Sequence, residues 1–222
     1  MNVKQFAIFG VVAFLLVCLE FSQAFATTIG FAFTGTVTQT NFDPQDPFAG
    51  SIAFGTTFSG AYTFESTTPD GDPTVNSGSY TTVSGSLSVT IGGNPFTASD
   101  LLNIGVGNNF SGVDQYTVLA QNSSGTDTFD IELFLQDNQG TVFSTDLLPV
   151  DFPFFSSFEV ATFSLLNGNI SGNFVEIEGL LDSLNCVRGC VPFPVPEPSI
   201  LTLLGTGVLV LLIRRDCFLH RS

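Results

Sequence analysis

Two pairs of carboxylates are the residues of this 222-residue chain whose spacing could support catalysis. Asp130 and Glu132 are two residues apart, as are Glu176 and Glu178, so in a β-strand both members of a pair share one face. A glycoside hydrolase needs two carboxyl groups about 5–10 Å apart across a sugar-binding cleft, and same-face strand neighbours lie near that distance. The alternative is a solvated polar face, which we favour because the chain has no tryptophan on which sugars could stack.

Other catalytic machinery is limited by the supply of histidine. The only histidine, His220, lies close to the C-terminus, beyond a pair of arginines. Ser-His-Asp and Cys-His nucleophiles, and histidine-ligated zinc or iron sites, therefore cannot be built elsewhere in the chain. No glycine-rich phosphate loop of the P-loop or Rossmann type is present. We expect no catalytic residues and no cofactor.

Two predicted turns contain oxygen-bearing side chains that could bind calcium. Asp70 with Asp72, or Asp137 with Asn138, could supply carboxylate and amide oxygens at a turn. Neither pair has the spacing of an EF-hand loop, and Asp and Asn are common in turns because they bond the local backbone. We therefore expect turn residues and no metal site.

Two cysteines lie close together in the sequence Cys186-Val-Arg-Gly-Cys190. In an oxidising compartment they are expected to form a small disulfide loop. Zinc is the rival interpretation, but two thiolates with no histidine nearby do not make four ligands.

The N-terminus has the features of a signal peptide. Lys4 is followed by the apolar run Phe6–Leu19, and Ala24-Phe25-Ala26 supplies the small-x-small pattern of a cleavage site. A permanent membrane anchor is the alternative, but a short apolar run before a small-residue site is typical of a segment that is removed. Cleavage is expected after Ala26.

The C-terminal region contains Pro196-Glu197-Pro198, an apolar run Ile200–Ile213, and then Arg214 and Arg215. As a helix the run is roughly 21 Å long, whereas the hydrocarbon core of a bilayer is about 30 Å thick. The run could therefore cross the membrane only as a short transmembrane anchor. The arginines should stay on the cytoplasmic side. A buried core helix is the alternative, but the flanking arginines and prolines argue against it.

This ordered set, from Val195 to Arg215, resembles the PEP-CTERM sorting signal of Gram-negative bacteria, a tail also described as an ice-binding protein C-terminal domain. The resemblance implies a signal peptide removed by signal peptidase and recognition of the tail by an exosortase, a membrane-embedded cysteine transpeptidase. It also implies an association with exopolysaccharide and biofilm. The protein would be anchored transiently in the inner membrane, with its body in the periplasm, and then delivered to the cell surface or extracellular matrix.

Between these two signals the chain is strongly acidic. Residues 27–195 contain 17 acidic residues and a single basic one, Arg188. Phosphate groups are bound through lysine and arginine, so nucleic acid and anionic lipid surfaces are poor partners.

The carboxylate pairs must be positioned by β-strands. Apolar and polar residues alternate with period two in segments such as Ser84–Ile91 and Phe129–Gln136, which predicts antiparallel strands with one wet face. Turn signals separate candidate strands whose spacing is mostly 8–15 residues, which favours an all-β fold, an antiparallel β-sandwich or jelly roll, with a closed barrel as the alternative. The expected strands are 30–39, 58–64, 80–83, 84–91, 103–107, 116–121, 129–136, 141–145, 158–165 and 174–177.

The predicted organisation has five parts, and helices appear only in the two signals. They are a signal peptide (1–26), a β-sandwich domain (27–189), a proline-rich stalk (190–198), a transmembrane sorting helix with its arginine pair (199–215) and a short cytoplasmic tail (216–222).

We expect a non-catalytic surface or exopolysaccharide-matrix protein. The alternative is a secreted carbohydrate-active hydrolase, or a glycan-binding module, that uses the strand carboxylates. Binding to ice or a mineral surface would need a flat threonine array, and Thr36, Thr38 and Thr40 make too short a one.

Overall fold

The computed structural model describes residues 27–43, 48–98, 101–122, 127–150, 155–169 and 174–190. By internal contacts the chain divides into two compact units, residues 1–190 and 191–222. The described residues of the first unit form nine strands and one short 3-10 helix, Phe155–Ser157. The strands are β1 (Thr28–Phe42), β2 (Thr57–Glu65), β3 (Ser77–Ile91), β4 (Asn94–Ala98), β5 (Leu101–Phe110), β6 (Val113–Asn122), β7 (Asp127–Asp137), β8 (Val160–Asn169) and β9 (Phe174–Arg188).

The strands pair in chain order and are all antiparallel. β1 pairs with β2, β2 with β3, β3 with β5, and so on to β8 with β9. β4 and β5 follow one another in one register along β3, since Ala98 lies opposite Leu87 and Leu101 lies opposite Ser84. Finally β9 returns to β1, from Gly30 opposite Arg188 to Phe42 opposite Val175. The result is a closed up-and-down barrel of eight staves, with β4 and β5 forming one stave.

This closure corrects the predicted fold. The chain is all-β, but the expected β-sandwich or jelly roll is wrong, because the first and last strands pair and leave no two separate sheets. The two predicted helices, the signal helix and the transmembrane helix, lie outside the described residues. Within the part of the chain that the structure describes, no helix has the length and apolar character needed to cross a membrane.

Side chains fill the interior, as expected for a barrel of eight strands. In β7, Ile131, Leu133 and Leu135 point inward and are fully buried, while the residues between them face outward. Tyr62 and Tyr116 meet across the interior with their hydroxyl oxygens 3.2 Å apart. Burial raises the pKa of both phenols, and the Tyr116 hydroxyl raises that of Tyr62 further.

Glycines make room for the largest rings of the core. Phe58 lies against Gly35 of β1 and Gly179 of β9, and Phe33 lies against Gly60 of β2. A Cβ atom at any of these glycines would overlap the ring. Phe58 also packs on Phe163 of β8, with ring centroids 4.5 Å apart. Aromatic rings over strand glycines thus join β1, β2, β8 and β9 on the inner side of the closing seam.

Candidate functional site

The residues predicted to direct sorting, Val195 to Pro198 with Arg214 and Arg215, lie outside the described residues, as do Ala24 and Ala26 of the cleavage site. What the structure describes is the point at which the chain leaves the barrel towards the sorting residues. β9 ends at Arg188, beside the start of β1. Gly189 follows with a positive φ of 69°, and a Cβ atom added there would overlap the carbonyl oxygen of Thr28.

A disulfide joins Cys186 and Cys190 around this exit, with their Cα atoms 6.1 Å apart. Cys186 lies opposite Phe31 of β1, and its Sγ is 3.9 Å from the carbonyl oxygen of Val150. The exit of the chain is therefore held both by strand pairing and by a covalent loop.

The two carboxylate pairs lie on the outer wall of the barrel, on either side of β8. Ser164 is opposite Glu132 on one side and Glu178 on the other, and Leu166 is likewise between Asp130 and Glu176. All four acidic side chains are half-buried. Because neighbouring strands are about 4.8 Å apart, the carboxylates of β7 and β9 are separated by roughly 10 Å of strand spacing. The structure thus brings the two pairs onto one outward-facing surface.

The carboxylates of the predicted calcium turns accept hydrogen bonds from the local backbone. Asp70 Oδ1 accepts from the amides of Asp72 (2.9 Å) and Ser79 (2.8 Å). Asp72 Oδ1 accepts from the Thr74 amide at 2.8 Å. Hydrogen bonds from the side chain and backbone of Thr74, and from the side chain of Ser77, lower the pKa of Asp72. The bonds from the Asp72 and Thr74 amides, each two residues beyond its acceptor, are those of a turn, and the bond from the Ser79 amide joins Asp70 to β3.

Asp137 holds the segment that follows β7. Its Oδ1 accepts from the Gln139 amide (2.8 Å), and its Oδ2 accepts from the Thr141 amide (2.7 Å), the Thr141 hydroxyl (3.1 Å) and the Val142 amide (3.2 Å). Desolvation alone would raise the pKa of Asp137, but these hydrogen bonds outweigh it and hold the pKa below its usual value.

Asp114 was not among the predicted site residues; it lies directly opposite Asp137 and is also fully buried. Its two oxygens accept from the amides of Asn109 and Phe143, both at 2.6 Å. The sequence did contain a signal for this buried carboxylate. Asp114 lies on the same face of β6 as Tyr116 and Val118, so a polar residue occupies a position that the alternation assigns to the core. Asp114 and Asp137 thus bind the backbone amides of the connections at one end of the barrel. Across the described ranges, no group of three or more His, Cys, Asp or Glu side chains is arranged to hold a metal.

A groove of about 510 Å³ indents the outer wall where β1, β2, β3 and β9 meet. Its polar lining includes Thr34, Thr57, Ser59, Thr90 and Asp182. Thr34 and Ser183 share a hydrogen bond of 2.7 Å, and the Thr36 hydroxyl donates to Asp182 at 3.1 Å. The groove therefore presents hydroxyl groups beside one carboxylate.

Comparison with known proteins identifies the tail. The model of the PEP-CTERM protein-sorting motif matches residues 194–215. No curated protein and no solved structure matches the chain. The motif indicates an exported protein that carries a C-terminal membrane-anchored sorting signal and is processed by an exosortase. The predicted sorting motif is confirmed: the chain carries a PEP-CTERM protein-sorting motif at its C-terminal end.

Proposed function

We propose that this protein is a non-catalytic component of the cell surface or exopolysaccharide matrix, released to that location after signal peptidase and exosortase have processed its two ends. The observation that carries the proposal is the sorting motif at residues 194–215, joined to a closed barrel whose interior is filled. The proposed parts are the signal peptide (1–26), barrel domain (27–189), stalk (190–198), sorting helix (199–215) and tail (216–222).

The placement of the carboxylates supports a non-catalytic role. Glu132 and Glu178 flank Ser164 on the outside of the barrel. Their strand spacing of roughly 10 Å is close to the carboxyl separation of an inverting glycosidase, about 6.5–9.5 Å, but such an enzyme holds its sugar in a cleft between the two carboxyls. Among the described residues, these carboxylates face outward from the wall of the barrel, and an outward-facing wall does not by itself enclose a sugar or exclude water from the scissile bond.

The groove beside Asp182 supports contact with a neutral glycan. Sugar hydroxyl groups can donate to the carboxylate and accept from Thr34, Ser59 and Thr90. Phosphorylated or sulfated polymers would be repelled, because residues 27–195 carry 17 acidic groups and one arginine.

Turnover and binding on the same polysaccharides separate this role from the hydrolase alternative. We expect no release of reducing ends by the protein, and weaker retention on an immobilised neutral polysaccharide after Asp182→Asn. Glu132→Gln is the matched control on the acidic wall and should leave retention unchanged. Release of reducing ends that Glu132→Gln abolishes would replace our proposal with the hydrolase.

Sorting is tested in cells with and without the exosortase. The variant Glu197→Ala should accumulate with its tail attached, as the unchanged protein should in cells that lack the exosortase. Glu159→Ala, an exposed acidic residue of the barrel, is the control and should be processed normally. Normal processing of Glu197→Ala would contradict the role given to the motif.

A further inference from the structure

Both ends of the described chain emerge from the same end of the barrel. In an up-and-down barrel, successive connections alternate between the two ends, and the closing pairing places the start of β1 beside the end of β9. Thr27 and Cys190 therefore lie at one end, which we call the terminal end. The β2–β3, β5–β6 and β7–β8 connections lie there too. The β3–β4 turn and the described part of the β1–β2 connection lie at the opposite end.

The terminal end also carries most of the exposed apolar side chains. Of eight large hydrophobic residues that are exposed in the described ranges, five lie in its connections or at the strand ends beside them: Val75, Phe110, Leu147, Val150 and Val187. Phe54, in the β1–β2 connection, lies at the opposite end, and Leu166 and Leu180 lie on the wall.

Local contacts connect these residues around the rim of the terminal end. Asn76, next to Val75, accepts a hydrogen bond through its carbonyl from the amide of Asn108, two residues before Phe110. The carbonyl of Asp146, next to Leu147, accepts from the Tyr80 hydroxyl at 2.9 Å. The carbonyl of Val150 lies against the Sγ of Cys186, next to Val187. The apolar residues thus belong to one continuous rim of loops.

We propose that the terminal end is the membrane-facing surface of this protein, and that its apolar rim contacts a lipid bilayer while the chain is anchored. This inference depends on the proposed anchoring. Chain connectivity selects the bilayer as the occupant, because the apolar runs Phe6–Leu19 and Ile200–Ile213 both join the barrel at this end. Between Cys190 and Ser199 only eight residues intervene, which span about 25 Å when extended as a proline-rich stalk.

The charge of the terminal end selects the kind of lipid. Glu65, Asp70, Asp72, Asp146 and Glu159 lie there with Arg188 as the only basic residue of the described ranges. Carboxylates are repelled by an anionic lipid surface over about a Debye length, so contact should be closest on a zwitterionic bilayer. The same acidic charge disfavours a second copy of the chain as the partner.

A single introduced tryptophan tests the contact, since the chain has none of its own. Leu147→Trp places the reporter on the terminal end, where Leu147 is 63 % exposed, and Phe54→Trp is the matched control at the opposite end, where Phe54 is 80 % exposed. The full chain with each substitution is reconstituted into phosphatidylcholine vesicles that contain brominated lipid. Apolar groups at an interface settle about 5–10 Å into the boundary of headgroups and chains, within reach of the bromines.

We expect the Leu147→Trp emission to be blue-shifted and strongly quenched, and the Phe54→Trp emission to remain water-like and unquenched. If the chain floats with the vesicles and both reporters remain unquenched, the orientation is wrong while anchoring stands. If the chain does not float with the vesicles, the chain is not anchored in the bilayer, and both the proposed anchoring and this inference are wrong. A blue shift of Leu147→Trp that requires only high protein concentration would identify a second copy as the partner and overturn the proposal.

Discussion

Glycines beneath aromatic rings determine how closely the strands approach in the closing seam. At Gly35 of β1 a methyl group would overlap both the Phe58 ring and the Leu180 carbonyl oxygen. We expect Gly35→Ala to lower the free energy of unfolding by about 2 kcal/mol or more, since inserting a carbon into a packed core forces strain. Gly105→Ala is the control, because a Cβ there meets only Thr117 at 3.8 Å. Urea denaturation measures both, and equal stabilities would contradict the packing described.

Asp137 links the stability of the barrel to pH. Its pKa is lowered in the folded protein, so its contribution is complete above the unfolded value of about 3.9 and is lost as the pH falls through the folded value. We expect Asp137→Asn to cost about 2 kcal/mol at pH 7, because hydrogen bonds to a charged acceptor are lost. The cost should shrink as the pH falls below about 3.9 and through the lowered folded pKa, because the aspartate itself then becomes protonated. Glu132→Gln on the outer wall is the control, and a pH-independent cost of Asp137→Asn would show that its charge has no role.

At the scale of elements, the pairing of β1 with β9 distinguishes the barrel from the sandwich. Thr34 and Ser183 lie opposite each other on these strands, and their hydroxyl oxygens are 2.7 Å apart. The pair Thr34→Cys and Ser183→Cys should therefore form a disulfide on mild oxidation, detected by peptide mass spectrometry. The pair Thr34→Cys and Thr162→Cys is the control, because β8 is separated from β1 by β9 and that pair should stay reduced. A reduced Thr34–Ser183 pair would indicate an open seam.

The loop Cys186–Cys190 stabilises the end of β9 at the same seam. By chain entropy, closing a loop of about five residues contributes roughly 2 kcal/mol. We expect reduction, or the double substitution of both cysteines by serine, to lower the free energy of unfolding by that amount. Cys217→Ser is the control, since this residue belongs to the second unit of the chain, residues 191–222. If reductant leaves the denaturation midpoint unchanged, the disulfide loop contributes nothing to the stability of the fold.

Period-two alternation predicted most strands because it reports which face of a strand is buried. It predicted β1, β2, β6 and β7 to within a few residues, whereas β3 was divided in two and β4 was missed. The predicted division lies between residues 83 and 84, close to Thr82, whose φ of 59° interrupts the alternation between Tyr80 and Val83. The strand expected at residues 141–145 is instead an irregular segment whose amides bond to Asp114 and Asp137.

Closure could not be predicted from the same pattern. Alternation is local, and a sandwich and a barrel both bury one face of every strand. They differ in whether strands almost 150 residues apart pair, as Thr34 and Ser183 do. Likewise, spacing placed Asp130 and Glu132 on one face of a strand, but only the strand order showed that β8 separates them from Glu176 and Glu178. The sorting motif was predictable because its signal is contiguous in sequence.

For the whole molecule, the chain combines an acidic barrel with apolar segments that join it at one end. Residues 27–195 carry 17 acidic groups and one arginine, which opposes binding to nucleic acid and favours a monomeric, soluble barrel. In the proposed life cycle the terminal end faces the membrane during anchoring, and the groove beside Asp182 at the β1–β2–β3 wall stays accessible.

The central claim is that both terminal segments are signals that are removed during delivery of the barrel. Intact-protein mass spectrometry of the cell-surface fraction tests it most directly, because a single mass reports both trimmed ends. We predict a species that begins at Thr27 and has lost the apolar run Ile200–Ile213 with its arginines. Recovery of the complete 23.6 kDa chain from the cytosol, with both ends intact, would contradict the account.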